Sequence, residues 1–471
     1  MLETLTSDIV LSYLSKKIIM NMMRRKNIDM LEGNLFRDVL LFTVPVALSG
    51  ILQLLFNAID MIVVGKFSGS TSMAAVSSTG SLINLITNLF IGLSVGTSVC
   101  IAGRIGRRDF FGVYKAVQTS ITIALISGLA LTVIGVVFSP VFLKMMGSPE
   151  DVIDLSALYL RIYFLGMPAT MVYNFASAIL RARGDTKRPL YALGIAGALN
   201  ALMNLFFVTV FHMDVTGVGL ASALSSCVSA AIVLIVLIKD EGMTHLEIRK
   251  LHIDREALKE IVKVGLPAGL QSTVFSISNV AIQSSVNSFG GTIMAANGAA
   301  GSIADFVYTI MNAFYQSCLT FTSQNMGAKK YQRTGKILFV SLFYVTLCGL
   351  VIGHSTYYFG DPLLHIYSDD PEVIQAAMIK LEIFCKPYFL CGIMDVLVGS
   401  LRGMGYSIFP MITSLLGSCA FRLIWIATYF AAHRSIEVLY YSYPLSWTLT
   451  LSIHLLTFVY AYHRLRAKTV Q

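Results

Sequence analysis

Charge is scarce in this chain: Asp, Glu, Lys and Arg together make up 13% of its 471 residues. Hydrophobic residues account for 55%, and the mean hydropathy is +0.71. An ordinary soluble globular domain is thereby excluded. The seven cysteines are dispersed, mostly within apolar segments, and none forms a CxxC pair. Neither a disulfide framework nor a metal site is expected from them. The eight histidines show no HxxxH or HExxH spacing, and no GxxxxGK[ST] loop is present. A zinc-hydrolase site and a P-loop for ATP are therefore missing, and no resident cofactor is expected. A net charge of +9 would suit nucleic acid. Its distribution fits membrane topology instead, so no nucleic-acid partner is expected.

What the chain has in abundance is apolar sequence of membrane-crossing length. Hydropathy marks twelve spans, at 36–64, 73–102, 114–143, 152–180, 189–212 and 216–238, then 257–288, 293–324, 334–366, 372–401, 408–432 and 436–463. Each reaches the ~20 residues needed to cross the hydrocarbon layer. Several exceed it and are expected to tilt or to extend beyond the bilayer. The expected fold is all-α and polytopic, embedded in the lipid bilayer as a monomer.

Basic residues sit on alternate connections. The 2–3 loop carries Arg104, Arg107, Arg108 and Lys115, and the 4–5 loop Arg181, Arg183, Lys187 and Arg188. The 6–7 linker and the 8–9 loop are similarly basic, whereas two of the opposite loops are acidic (Glu150, Asp151, Asp154; Asp369, Asp370, Glu372). The positive-inside rule places both termini and the 6–7 linker in the cytoplasm. Residues 1–35 form a cytoplasmic N-terminal segment without a long apolar core or cleavage site, so a cleaved signal peptide is not expected. The segment is read as a tail or an interfacial basic helix. The remaining divisions are an N-lobe at 36–238, a cytoplasmic linker at 239–256, a C-lobe at 257–466 and a tail at 467–471.

The two halves repeat one another. Arg181, Gly184 and Pro189 recur as Arg402, Gly405 and Pro410 with identical spacing. The same offset, within one residue, superimposes Pro45 on Pro267, Asn57 on Asn279, Gly106 on Gly327 and Pro149 on Pro371. With six spans per half the repeat is parallel, about an axis near the membrane normal. A duplicated helical membrane domain is the architecture of a transporter, with substrate bound where the halves meet.

Polar groups inside spans are costly in lipid and mark the candidate transport residues. In span 1, Ser49, Gln53, Asn57 and Asp60 share one helix face. Asn84 lies on a similar stripe in span 2, and Asn200 and Asn204 sit one turn apart in span 5. The C-terminal half has Asn279 and Gln283 in span 7 and Asp305 in span 8. Asp395 in span 10 occupies the place that Asn174 holds in the first half, seven residues before the repeated Arg. Arg422 in span 11 is an intramembrane cation expected to be neutralised by Asp395 or Asp305. Amides of this kind also serve simply to hold helices together. Pro45, Pro168, Pro267 and Pro387 fall inside spans, where a missing hydrogen bond gives a bend able to repack.

Together, Val44-Pro45, the run Asn57 to Gly65, the Gly106-Arg107-Arg108 turn, the Arg181 to Pro189 segment and Leu199-Asn200 with Asn204 resemble the multidrug and toxic compound extrusion (MATE) family. The likeness extends over about residues 33 to 465. It implies two six-helix lobes forming a V around a central cavity. It also implies export of cationic or amphipathic compounds across the bacterial plasma membrane in exchange for H+ or Na+. Asp60 matches the family's first-helix carboxylate for the coupling ion, and Asn200 the amide that cooperates with it. The chain departs from the pattern at Asn204, where relatives often carry an aspartate, and in span 7, which has no acid beyond Glu260 at its start. Asp60 among amides suits a carboxyl that takes up and releases a proton, while Na+ held by Asp60, Asn200 and Asn204 also fits sterically. The alternative is a lipid or lipid-linked oligosaccharide flippase of the same superfamily. It is disfavoured because Arg422 is the one clear intramembrane cation in the sequence.

Overall fold

The computed structural model describes residues 28–146 and 150–470, so the expected interfacial helix near the N-terminus and the Pro149 match lie outside the described residues. Span 1 is Leu35–Phe67, span 2 Ser70–Gly106, span 3 Phe110–Met145, span 5 Lys187–Thr209 and span 6 Asp214–Ile238. Span 4 is a pair, Glu150–Leu165 and Met167–Ala182. In the second half, span 7 is Arg255–Asn287, span 8 Gly291–Gly327 and span 9 Tyr331–Tyr358. Span 10 is again a pair, Pro371–Cys385 and Phe389–Gly403, and spans 11 and 12 are Ile408–Phe430 and Ile436–Val470. The element types and their order follow the hydropathy.

Eight of these helices are long and apolar enough to cross a membrane singly, and the bent pair of span 4 makes a ninth. The other three differ for visible reasons. Spans 7 and 8 interrupt their apolar residues with Ser, Asn, Gln and Gly, and span 10 breaks at Lys386-Pro387. The span 4 pair meets at 47°, just before Pro168. Pro45 and Pro267, by contrast, lie inside continuous helices. Asn34 caps span 1 by accepting from Phe36 N and Arg37 N, and Asp109 and Asp254 cap spans 3 and 7 in the same manner. Side-chain oxygens there satisfy amides that have no partner in the first turn.

The backbone repeats as the sequence does. Among the described residues, glycines with positive φ come in two pairs separated by the repeat offset: Gly69 (90°) with Gly290 (98°), and Gly184 (92°) with Gly405 (90°). Arg108 and Lys329, both at 58°, make a third pair. These left-handed residues set the turns between spans 1 and 2, 4 and 5, and 2 and 3, with their counterparts in the other half.

Packing divides the molecule less simply than chain order does. The first turns of span 1 (Leu35, Val39, Phe42) belong to the core built around span 8, where Phe42 meets Phe321 edge to face at 5.6 Å. Reciprocally, Ala257 and Ile261 at the start of span 7 belong to the core around span 3. Each lobe thus takes the entrance of the other's first helix. The segments leading into those helices are docked as well. Asn325 donates to Met30 O at 3.0 Å, and Arg333 to Gly33 O at 2.5 Å. On the other side, Lys115 pairs with Asp254 at 3.0 Å, and Asp254 N donates to Thr119 at 2.9 Å. Residues 28–34 therefore play toward span 9 the part that the 6–7 linker plays toward span 3. Deleting residues 1–21 is expected to leave the amount of folded protein unchanged in detergent-solubilised membranes, whereas deletion through Gly33 lowers it several-fold by size-exclusion yield.

The lobes touch along a seam of glycine. Spans 2 and 7 make the most extensive helix pair in the molecule, with Gly92 and Gly96 of one set against Gly265 and Gly269 of the other. A Cβ at Gly92 would strike the backbone of Gly269, and one at Gly96 the backbone of Ile261. Both helices read G-x-x-x-G here, the spacing that puts two backbones in contact. The seam continues between spans 2 and 8, where Gly106 faces Gln324 O and Gly327 faces Gly103 O. Polar bonds close the same end: Arg104 meets Glu260 at 3.1 Å, and Gln324 donates to Ala182 O at 3.1 Å. Toward the other end of these helices a Cβ at Gly80 or Gly298 would meet nothing within 4 Å. The molecule is shut at the end bearing the 2–3, 6–7 and 8–9 connections.

Candidate functional site

Asp60 lies near the end of span 1, 9% exposed, where spans 1, 5 and 6 meet. Both carboxylate oxygens are engaged: Oδ1 accepts from Asn204 Nδ2, and Oδ2 from Ser222 Oγ at 3.2 Å. The donors are tied to each other, since Asn204 Nδ2 also reaches Asn200 Oδ1 at 3.3 Å and Asn200 Nδ2 reaches Ser222 at 3.4 Å. Tyr159 and Tyr163 of span 4 stand beside the carboxylate. One polar atom of the cluster is left over: Asn204 Oδ1 is buried without a partner among the described residues. Such a group in a dry interior is a place for a proton donor or a cation to bind.

The structure thus joins Asp60, Asn200 and Asn204 into one cluster, and adds Ser222. A serine among the small residues of span 6 gives no periodic signal, and only the fold brings it to the carboxylate. Gln53, Asn57 and Asn84 are exposed and stand apart from this cluster. Asn174 donates to Thr170 O at 2.9 Å within its own helix.

The C-terminal candidates gather elsewhere. A cavity of about 690 Å³ is lined by Asn279, Gln283, Asp305, Asp395 and Arg422, together with Asn88 from span 2. Its wall is aromatic. Phe384 packs on Tyr388, Tyr443 and Trp447 at 4.7 to 4.9 Å, and Tyr388 stacks on Trp447 at 5.2 Å. Gln283 donates to Asn287 and accepts from Asn297, each at 2.8 Å. Asn88 reaches across to Ser276 at 3.0 Å.

Arg422 departs from expectation. Neither Asp395 nor Asp305 comes within ion-pair distance among the described residues. Its Nε donates to Ser446 at 2.9 Å, and its guanidinium lies 4.2 Å from the Tyr443 ring centre. The reason is the course of span 11, which runs as π-helical turns over Leu415–Ala420 and Ile426–Phe430, with Arg422 on the short α segment between them. These turns align Ser414, Ser418 and Arg422 with His454, Thr450 and Ser446 of span 12, bonded in that order at 3.1, 3.1 and 2.9 Å. Arg422 is the last rung of a ladder between helices, aimed at span 12 instead of span 10. Asp395 has Tyr308 and Arg402 as its polar neighbours.

A second buried cation escaped the sequence reading. Lys380 of span 10 lies within the apolar run Ile379-Lys380-Leu381, is 9% exposed, and lines the same cavity. Its Nζ donates to Asn297 O at 3.0 Å and faces the rings of Phe384 and Tyr440 at 5.7 and 5.9 Å. Arg422 is therefore not the one intramembrane cation. The lone lysine between isoleucine and leucine was the legible signal.

Among the described residues no three His, Cys, Asp or Glu side chains converge as a metal site. Relatives agree with the architecture. A probable multidrug resistance protein of Bacillus subtilis, YoeA, is 27% identical over 447 residues, covering 92% of this chain and 94% of its own. The Thermotoga maritima protein named as probable multidrug resistance protein NorM is 26% identical over 405 residues, with 82% and 84% coverage. A solved outward-facing multidrug resistance MATE family transporter superimposes with a TM-score of 0.86 at 21% identity, covering 94% of this chain and 99% of that one. The twelve helices adopt that two-lobed, V-shaped fold. The MatE family model matches residues 45–206 and again 267–428. Two copies of one family domain, set in the register of the internal repeat, fill most of the sequence, and this chain belongs to the MatE family of membrane transporters.

Proposed function

We propose that this protein exports cationic or amphipathic compounds across the bacterial plasma membrane in exchange for protons, with Asp60 as the proton site. The observation that carries the reading is the Asp60 cluster: one carboxylate deep in the N-lobe, both oxygens held by side-chain donors. Protonation turns one carboxylate oxygen from acceptor into donor. With the proton on Oδ1, Asn204 presents its carbonyl in place of its amide, and among the described residues that carbonyl is the buried atom of the cluster without a partner. Uptake of a proton thereby repacks the junction of spans 1, 5 and 6. Multidrug resistance proteins among the relatives support the exported class.

The closed end of the molecule carries the basic loops, so the charge rule assigns it to the cytoplasm and the state to outward-open. A proton gradient is expected to drive efflux from proteoliposomes when its acidic side is opposite the drug, and a sodium gradient alone is expected to do nothing. Efflux driven by sodium with the proton gradient collapsed would instead assign Na+ to the oxygens of Asp60, Asn200 and Asn204.

Orientation has its own test. With the seven native cysteines removed, single cysteines at Lys187, Lys330 and Asp370 are treated with an impermeant thiol reagent. Asp370→Cys is expected to react in intact cells, and the other two only after permeabilisation. Arg183 is unsuitable as a label site because it is buried against Asp240 at 2.8 Å. The flippase alternative is weakened further by the C-lobe cavity, where Lys380 and Arg422 are accompanied by two carboxylates. A pyrophosphate site calls for an excess of positive charge.

A further inference from the structure

The repeat supplies its own comparison at the closed end of the molecule. Lys115 of span 3 and Lys336 of span 9 occupy equivalent places in the two halves, in register with the left-handed pair Arg108 and Lys329. Each stands beside the residue that caps the first helix of the opposite half. In one case the cap is Asp254, and Lys115 pairs with it at 3.0 Å. In the other the cap is Asn34, which carries no charge, and it shares with Lys336 the wall of a cavity of about 590 Å³. Arg333 enters the same cavity, at the place where the first half has Gly112. Its Nη2 donates to Gly33 O and its Nε is buried without a partner. Among the described residues neither Arg333 nor Lys336 forms an ion pair. The carboxylates close by in sequence are taken, Glu32 by Lys330 at 3.3 Å and Asp38 by Arg37 at 3.1 Å. One half thus closes this joint with a carboxylate of its own, and the other leaves two cations around an opening.

We propose that this opening binds the phosphate of an anionic phospholipid, held by Arg333 and Lys336 where the other half places the Asp254 carboxylate. The apolar surroundings select a lipid over a soluble phosphate. Phe36 is 46% and Phe339 65% exposed at the rim, and Phe343 and Leu347 continue the exposed face of span 9 below Phe339. From Lys336 to Leu347 that face descends ~16 Å, about the depth of one leaflet. Acyl chains lying along it leave the headgroup at the basic end, which the charge rule assigns to the cytoplasmic side. A phosphatidylcholine headgroup carries its own ammonium and asks for no cation from the protein. A phosphatidylglycerol headgroup has a bare phosphate and pairs with both side chains. Because Arg333 also holds Gly33 O, the lipid bridges span 9 and the entrance of span 1. The inference stands apart from the exporter reading, since the site lies outside both the Asp60 cluster and the C-lobe cavity.

Lipid retention decides it. Purified, delipidated full-length protein in detergent is offered equal amounts of dioleoylphosphatidylglycerol and dioleoylphosphatidylcholine, and the lipid retained is counted by native mass spectrometry. The wild-type protein is expected to retain phosphatidylglycerol about tenfold over phosphatidylcholine. An excess of glycerophosphoglycerol, the same headgroup without chains, should not displace it. Lys336→Gln should cut the preference about fivefold, whereas Lys263→Gln, at an exposed lysine near the start of span 7, should leave it unchanged. Asn34→Asp is the sharpest variant. Aspartate caps a helix as well as asparagine does, so the fold is kept. The new carboxylate then gives Lys336 the partner that Lys115 already has, and the preference should fall to near parity. Equal retention of the two lipids by the wild-type protein would overturn the proposal without reference to any variant. A preference that survives Lys336→Gln or Asn34→Asp, or that vanishes on deletion of residues 1–21, would put the lipid elsewhere and overturn it too. Displacement by glycerophosphoglycerol would make the ligand a soluble phosphate and overturn the lipid assignment.

Discussion

Replacing Asp60 by Asn is expected to reduce gradient-driven efflux to the level of protein-free vesicles while the protein still folds and reaches the membrane. The substitution is isosteric and removes the only group in the N-lobe cluster able to carry a charge. An amide can accept from Ser222 and exchange hydrogen bonds with Asn204, so the junction of spans 1, 5 and 6 keeps its packing. What it loses is the switch from acceptor to donor. Efflux at wild-type rates from a well-expressed Asp60→Asn protein would remove Asp60 from the coupling step. Ser222→Ala provides the graded companion. It deletes one of the two side-chain donors to the carboxylate, an interaction with a charged acceptor worth about 1.5–3 kcal/mol. The proton concentration for half-maximal efflux should therefore change by about tenfold or more, with the maximal rate retained. If Ser222→Ala instead lowers only the maximal rate, Ser222 acts in the conformational step and not on the proton.

How far the sequence reaches toward this picture depends on the kind of signal. Span positions, the duplication and the Asp60–Asn200–Asn204 set were legible because lipid imposes length and apolarity on every span, and buried polar residues stand out against that background. The left-handed pairs at Gly69/Gly290 and Gly184/Gly405 were implicit in the repeat. Partnerships across helices were not legible. Ser222 reaches Asp60 only because span 6 packs beside spans 1 and 5, and nothing in its local sequence separates it from the other serines there. Arg422 does not meet Asp395 or Asp305 because span 11 is not a regular α-helix. Two π-helical stretches re-aim it toward Ser446, and irregularities of that sort have no periodic signature. The exchange of helix entrances between the lobes was equally hidden. Nothing in the sequence marks Val39 and Phe42 as core residues of the other half, and only tertiary structure shows that they are.

The glycine seam carries the other large expected effect. Gly265→Leu is expected to abolish efflux and to separate the lobes at the end where Arg104 meets Glu260. A leucine there has no room: even the first carbon of its side chain meets the Leu93 backbone, and the helix opposite offers no flexible side chain that can move away. Overpacking in a well-filled interior typically costs about 1–3 kcal/mol, and here it falls on one conformation in particular. In a rocking transporter the seam has to form in one state and part in the other, so a wedge shifts the equilibrium toward the parted state instead of unfolding the lobes. A penalty in that range moves a balanced two-state population by about five- to 150-fold, enough to remove the closed state from the cycle. The readout is cross-linking by a short flexible bis-maleimide between cysteines placed at Arg107 and Glu260, whose native side chains span the seam to within 4.0 Å of each other, with the native cysteines removed. Cross-linking should be efficient on the wild-type seam and fall sharply with Gly265→Leu, whereas Gly80→Leu, where nothing lies within 4 Å, should leave it intact. Undiminished cross-linking in Gly265→Leu, with efflux lost all the same, would mean that the leucine acts inside one lobe and that the glycine contact is not where the lobes part.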